Sequence, residues 1–232
     1  MELHHFLLKN LAAARDRLRY YFLDPQERRH SLVGSPKLWR QKRAIQIRFL
    51  KEAGLRPEHY LLDVGCGTLR GGLPVIEYLE KGHYYGLDRS EQALAEGRRE
   101  VEEAGLAEKA PVLRGSDDFD RCDLGRRFDF VWAFSVLIHL EDPVLSACLA
   151  LVRRHLDEGG VFFANVNLAD RPRDFLGGWR GHPVVRRTQG FYQEMAAGHG
   201  LRVESLGRLD SLGLAVGKRA HDRQTMLKFT PS

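Results

Sequence analysis

The chain has 232 residues, 43% hydrophobic and 29% charged, enough for one substantial folded domain and unlike a disordered or fibrous protein. Its longest nearly uninterrupted apolar run, Phe130 to Ile138 with Ser135 inside it, falls far short of the ~20 residues that span a bilayer. The formal net charge of +5 is uneven: residues 1–51 hold twelve Lys/Arg against four Asp/Glu, and the remainder 24 against 27.

His4, His5, Lys9 and Asn10 break the N-terminus too early for a secretory signal. Cys66, Cys122 and Cys148 are odd in number, far apart and without CxxC spacing, so neither a disulfide framework nor a zinc site is expected and a reducing cytoplasm is the natural location. The basic N-terminal stretch suits an anionic partner, such as nucleic acid, a membrane surface or an acidic substrate; a solvated helical face is at least as good a reading.

In chain order, Leu3, Leu7, Leu11, Ala14, Leu18 and Tyr21 predict an amphipathic helix over residues 3–22, closed by Pro25. Ser35 and Pro36 read as an N-cap with proline at the first helical position, and Leu38, Ile45 and Phe49 continue that helix to Gly54. From His59 the texture changes. Tyr60–Val64 is a short apolar run ending at a glycine cluster, as in a buried parallel strand. A helix over 73–79, a strand over 83–87, a helix over 92–104 and a strand over 111–114 follow. Then come a strand over 128–134, a helix over 145–156 and a strand over 161–166. Such alternation predicts βαβ units and a Rossmann-like, doubly wound, mostly parallel α/β sheet with helices on both faces, behind an N-terminal helical extension. Asp170 to Gly190 is rich in Gly, Arg and Pro and reads as a loop or lid. A helix over 190–200 and strands over 201–206 and 225–229 complete the chain.

The densest signal is Leu61-Leu62-Asp63-Val64-Gly65-Cys66-Gly67-Thr68-Leu69-Arg70-Gly71-Gly72. A strand runs into a tight turn where glycines let the backbone approach a ligand, and a helix N-terminus follows. A nucleotide fold with this turn asks for an acidic residue ~20 positions on, at the end of the next strand, to bind ribose hydroxyls. Asp88 stands there, 21 residues past Gly67. Gly65, Gly67 and Gly71 give GxGxxxG in place of the dinucleotide GxGxxG, and the neighbouring Asp63 suits a cationic amino acid better than a phosphate.

Residues 61–67 thereby resemble the first motif of the class I S-adenosylmethionine-dependent methyltransferases, and the likeness runs from Tyr60 to Val166. It implies S-adenosylmethionine as cofactor, with S-adenosylhomocysteine as product, in a domain spanning residues 55–232. Asp63, Gly65 and Gly67, with Cys66 between them, would wrap the amino acid end. Arg70 stands where the family commonly has a small residue and is either a ligand contact or a helix-surface residue. Asp88, beside Arg89, would bind the ribose. Asp117 or Asp118 would accept the adenine amino group, with Phe119 or a neighbour against the ring. Phe134 and Ser135 end the fourth strand, where family members meet cofactor and acceptor.

Methyl transfer is an in-line displacement in which alignment supplies much of the catalysis. A hydroxyl acceptor also needs a base, for which His139 is the candidate and Glu141 the next; a helix-start or packing role for His139 is the slightly favoured reading. His182 and the Tyr20–Tyr21 pair could line a pocket or pack a core. No Asn/Asp-Pro-Pro-Tyr/Phe motif ends the fourth strand and no Pro-Cys nucleophile lies near it, which disfavours amino-group methylation of bases and cytosine C5 chemistry. The expected acceptor is an O- or N-nucleophile on a small molecule, closed in by the basic extension (residues 1–54) and the 168–190 segment. The alternatives are an RNA or protein methyltransferase using the basic helices, a non-catalytic S-adenosylmethionine-binding partner, and, least, a nicotinamide dehydrogenase.

Overall fold

All four residues of β1 (Leu61–Val64) are buried, as a central parallel strand covered on both faces requires. The computed structural model describes residues 24–175 and 182–232. Among these residues two helices, α1 (Pro25–Ser31) and α2 (Trp39–Glu52), precede β1. After it come α3 (Gly72–Tyr78), β2 (Tyr84–Asp88), α4 (Glu91–Glu103), β3 (Val112–Gly115), β4 (Phe128–Ala133), α5 (Asp142–His155) and β5 (Leu156–Val166). A hairpin of β6 (Arg173–Phe175) and β7 (Val184–Arg186) leads to α6 (Gln189–Gly198), β8 (Leu201–Arg208), the single turn α7 (Arg219–Asp222) and β9 (Thr225–Pro231).

The main sheet has seven strands in the order β3-β2-β1-β4-β5-β9-β8. β1 to β5 pair in parallel, and β9 runs against both of its neighbours. Successive side chains on a strand point to opposite faces, so each strand feeds two cores. Leu62, Val64, Val131 and Phe162 meet Leu145, Leu149 and Val152 of α5 on one face. Leu61, Trp132 and Phe163 meet Ile45, Phe49 and Leu50 of α2 on the other. The strand order reverses between β1 and β4, which opens a crevice at their C-terminal ends, the usual ligand position in such a sheet.

The doubly wound sheet and its strands agree with the sequence reading; the differences are local. Pro25 opens a helix: Asp24 caps α1 by accepting from the Glu27 amide at 2.7 Å, and proline at the first position has no amide to leave unsatisfied. The predicted helix over 3–22, with Tyr20 and Tyr21, lies outside the described residues. Ser35 does not cap α2. Residues 36–38 form a tighter 3-10 turn, and α2 starts at Trp39, anchored by its ring stacked at 3.6 Å on His30. Residues 157–160, between the predicted helix and the predicted strand over 161–166, form a bulge inside a longer β5: Phe128 pairs with Leu156 and Phe130 with Val161. Part of the expected loop over 170–190 is the β6–β7 hairpin. Arg187 ties it down by ion pairs to Asp142 at the start of α5 and to Asp174.

Candidate functional site

The glycine turn follows β1 because two of its residues need left-handed backbone and close contacts. Gly65 and Gly67 have φ of +72° and +56°; a Cβ on the first would fall 2.4 Å from Val136, and on the second 2.4 Å from Val33. Leu69 and Ser135 adopt the same region without being glycine, at φ +61° and +63°. Such strain persists only where the surroundings over-determine it, and both residues border the crevice. Ser135 is held by its amide donating to Asn165 Oδ1 at 2.6 Å, and the fully buried Asn165 in turn donates to Gln224.

Asp63 leaves β1 beneath this turn, 6% exposed, and accepts one hydrogen bond, from the Tyr84 hydroxyl at 2.7 Å. Burial pushes its carboxyl up to about 7. Arg70, also buried, donates through Nη1 to the Val33 carbonyl at 2.7 Å, while its Nε has no partner. Burial lowers the guanidinium to about 10, offset in part by Asp63. Among the described residues no ion pair joins the two, although each feels the other's charge. Two opposite, under-partnered charges beside a glycine cradle fit a ligand with both an ammonium and a carboxylate.

Asp88 ends β2 and accepts from the Gly67 amide and the Ser90 amide, both at 2.8 Å, tying the glycine turn to the start of α4. Each bond uses one carboxylate oxygen, so lone pairs remain for vicinal hydroxyls. Arg89 beside it is exposed. The Cys66 side chain packs away from the crevice: its Sγ would lie 2.8 Å from a Cβ on Gly86, and burial raises its thiol well above the ordinary value. Of the two acids after β3, Asp118 is committed to its own turn, accepting from the Asp120 and Arg121 amides. Asp117 is exposed, and Phe119 packs against the α5-side core.

Phe134 stacks on Trp132 at 5.4 Å and meets His221 edge-on at 5.6 Å. His139 stands in a 3-10 turn after β4, its Nδ1 2.7 Å from the Pro183 carbonyl and its ring 5.9 Å from His182. That contact fastens it to the hairpin, and burial lowers its pKa. Glu141 is exposed at the N-cap position of α5. The crevice thus gathers Asp63, Gly65, Gly67, Arg70, Asp88, Phe134 and Ser135, whereas Glu141 and Arg89 face solvent at its margins.

The sequence reading missed several neighbours. Val33 sits on Gly67 because α1 is clamped to α4: Arg29 pairs with Glu96, Glu100 and Glu103, and His30 with Glu100. Tyr84, Asn165, Gln224, His221 and Asp222 reach the site from three separate segments, and only the fold brings them together. Arg29 alone left a trace, as a basic residue facing the Glu96/Glu100/Glu103 stripe, whose spacing puts those acids on one helix face.

A family model described as a methyltransferase domain matches residues 62–162. Among solved structures, the glycopeptide N-methyltransferase MtfA superposes with a TM-score of 0.63 at 18% identity, covering 82% of this chain and 90% of that one. An S-adenosylmethionine-dependent methyltransferase from Clostridium acetobutylicum gives 0.62 at 16% identity, covering 97% and 100%. These define the fold class. A ubiquinone biosynthesis O-methyltransferase from Hahella chejuensis is 28% identical over 142 residues, 57% of this chain and 52% of its own length. A sterol 24-C-methyltransferase from Gibberella zeae is 29% identical over 110 residues, 47% and 28%. The chain therefore spans about half or less of the length of these curated relatives. Residues 62–162 thus match a methyltransferase domain, and the chain shares its fold with solved S-adenosylmethionine-dependent methyltransferases.

Proposed function

We propose that this protein transfers the methyl group of S-adenosylmethionine to an oxygen or nitrogen nucleophile on a small molecule. The observation that carries the reading is the pair of buried, unjoined charges, Asp63 and Arg70, beside the Gly65–Gly67 turn. Asp63 would take the cofactor's ammonium and Arg70 Nε its carboxylate. Asp88 would hold the ribose hydroxyls, and Asp117, the acid left uncommitted, the adenine amino group. When bound, the cofactor supplies a sulfonium-activated methyl group. The chain's contribution is to exclude water and align the acceptor over Phe134 and Ser135. Residues 55–232 act as the catalytic domain in this reading, covered by the preceding segment and by the insertion at 168–190. A hydroxyl acceptor finds two imidazoles near the end of β4 to take its proton, His139 and His221.

A small acceptor is favoured over RNA because three of the basic residues ahead of β1 already have partners within the molecule. Arg29 and Arg43 pair with acids of α4, and Arg48 with Glu52 and the Gly213 carbonyl. The relatives named for ubiquinone and glycopeptide methylation support a small acceptor. Calorimetric titration with S-adenosylhomocysteine and, separately, NAD tests the cofactor half. Micromolar binding of the former alone, about −8 kcal/mol, is expected; binding of NAD alone, or of neither, sinks the proposal.

A further inference from the structure

On the α2 side of the crevice a second cluster stands apart from the residues assigned to the cofactor. His221 is 7% exposed. Its Nδ1 lies 3.2 Å from Asp222 Oδ1, and its Nε2 is buried without a partner. Asp222 also accepts from the Val216 amide, and those bonds outweigh its burial to hold it ionised, so it can only accept and Nδ1 carries the hydrogen. That leaves the lone pair on Nε2. The ring packs edge-on against Phe134, next to the strained Ser135.

A continuous set of contacts runs from this dyad to the backbone of Lys42, on the helix face that carries Gln46. Phe134 stacks on Trp132, whose indole N–H donates to Gln46 Oε1 at 3.1 Å; Gln46 Nε2 donates to the Lys42 carbonyl one helical turn earlier. Gln46 also fills the space above Gly71, next to Arg70. The Lys42 side chain is half-buried and has no ion-pair partner among the described residues. Burial, then the charges of Arg70 and Lys218, lower its ammonium to about 7, with Asp222 the one nearby carboxylate opposing them. Such a surplus of positive charge, beside a cofactor whose sulfonium adds more, is relieved by an anion and burdened by a neutral or cationic acceptor.

We propose that Lys42, His221 and Asp222 form the acceptor subsite and that the acceptor is a hydroxy acid. Its anionic group lies on Lys42, and its hydroxyl donates to His221 Nε2. This rests on the methyl-transfer reading above. In the transfer the acceptor oxygen forms the new O–C bond and the methyl–sulfur bond breaks, its pair staying on sulfur as S-adenosylhomocysteine. The hydroxyl proton passes to His221 Nε2, and Asp222 shares the resulting charge.

The test titrates the full chain, saturated with S-adenosylhomocysteine, with 2-hydroxybenzoate, benzoate and the uncharged 2-hydroxybenzamide. Calorimetry is expected to show the hydroxy acid at least tenfold tighter than the amide. Lys42→Met should erase that preference and Lys42→Arg keep it, with S-adenosylhomocysteine affinity within threefold of wild type in both. The 15N resonance of His221 Nε2 should move with 2-hydroxybenzoate and stay with benzoate. Acid and amide binding alike, or neither binding, overturns the proposal, as does an unmoved His221 resonance. A tenfold loss of S-adenosylhomocysteine affinity in Lys42→Met also overturns it, by giving the lysine to the cofactor's carboxylate. Failure of the wild type to bind S-adenosylhomocysteine, seen before any acid is added, would instead count against the methyltransferase reading.

Discussion

Asp63 shows how one residue can be costly to the fold and suited to the site. Its carboxyl is buried, has the Tyr84 hydroxyl as its one donor, and is pushed up to about 7. An unfolded aspartate titrates near 4. Between those values the folded form holds a proton that the unfolded chain has lost, so this group makes stability fall as pH rises from about 4 to about 7. Asp63→Asn keeps an acceptor for Tyr84 and removes that slope. Urea unfolding across this range should show the variant gaining nothing near pH 4 and roughly 4 kcal/mol near pH 7. The same change should weaken S-adenosylhomocysteine binding; a variant gaining stability with unchanged affinity would remove Asp63 from the site. Asp88→Ala is expected to lose about 1.5–3 kcal/mol of cofactor affinity through its charge-assisted bonds to the ribose, measured calorimetrically. Unchanged affinity would move the ribose elsewhere.

At the scale of elements, the clamp between α1 and α4 decides what the segment before β1 can do. If that segment only closed over the acceptor, deleting residues 1–35 would abolish turnover and spare cofactor binding. In the fold Val33 covers Gly67 and its carbonyl takes Arg70 Nη1, so the deletion removes part of the cofactor pocket itself. A loss of S-adenosylhomocysteine affinity of about tenfold or more is therefore expected, with Arg70 Nη1 left without its acceptor. Affinity preserved in the deletion would show that the Val33 contact contributes nothing. Arg29→Ala tests the clamp separately. Glu100, 7% exposed on its side chain, would keep only His30 and Arg43, and urea unfolding should report a loss of roughly 2–4 kcal/mol.

For the whole molecule, the +5 net charge raises nucleic-acid binding as an alternative. Arg29, Arg43 and Arg48 are committed to internal partners, and a cation already neutralised by a carboxylate releases fewer counterions from a phosphate backbone. Fluorescence anisotropy with a structured RNA should find only weak, non-specific association at physiological salt. Sub-micromolar binding that falls steeply between 50 and 200 mM salt would restore RNA as the acceptor. Among the described residues no helix is long and apolar enough to cross a membrane.

Read by itself, the sequence determined the sheet, the glycine turn and the acid at the end of β2. These are local: apolar runs, the glycines' left-handed backbone and a fixed spacing of 21 residues put Asp88 beside Gly67 whatever the rest of the chain does. The hairpin inside 170–190 escaped notice because β6 and β7 are three residues each, too short to show a period, and are held by Arg187 reaching Asp142 in another element. His139 was visible because it follows a recognisable strand. His221 was not, since it lies 86 residues beyond Ser135 in a one-turn helix with no pattern around it. Only the antiparallel return of β9 alongside β5 places it over Phe134. Contacts between residues distant in sequence leave no periodic mark, so the acceptor side of the crevice was decided by tertiary structure alone.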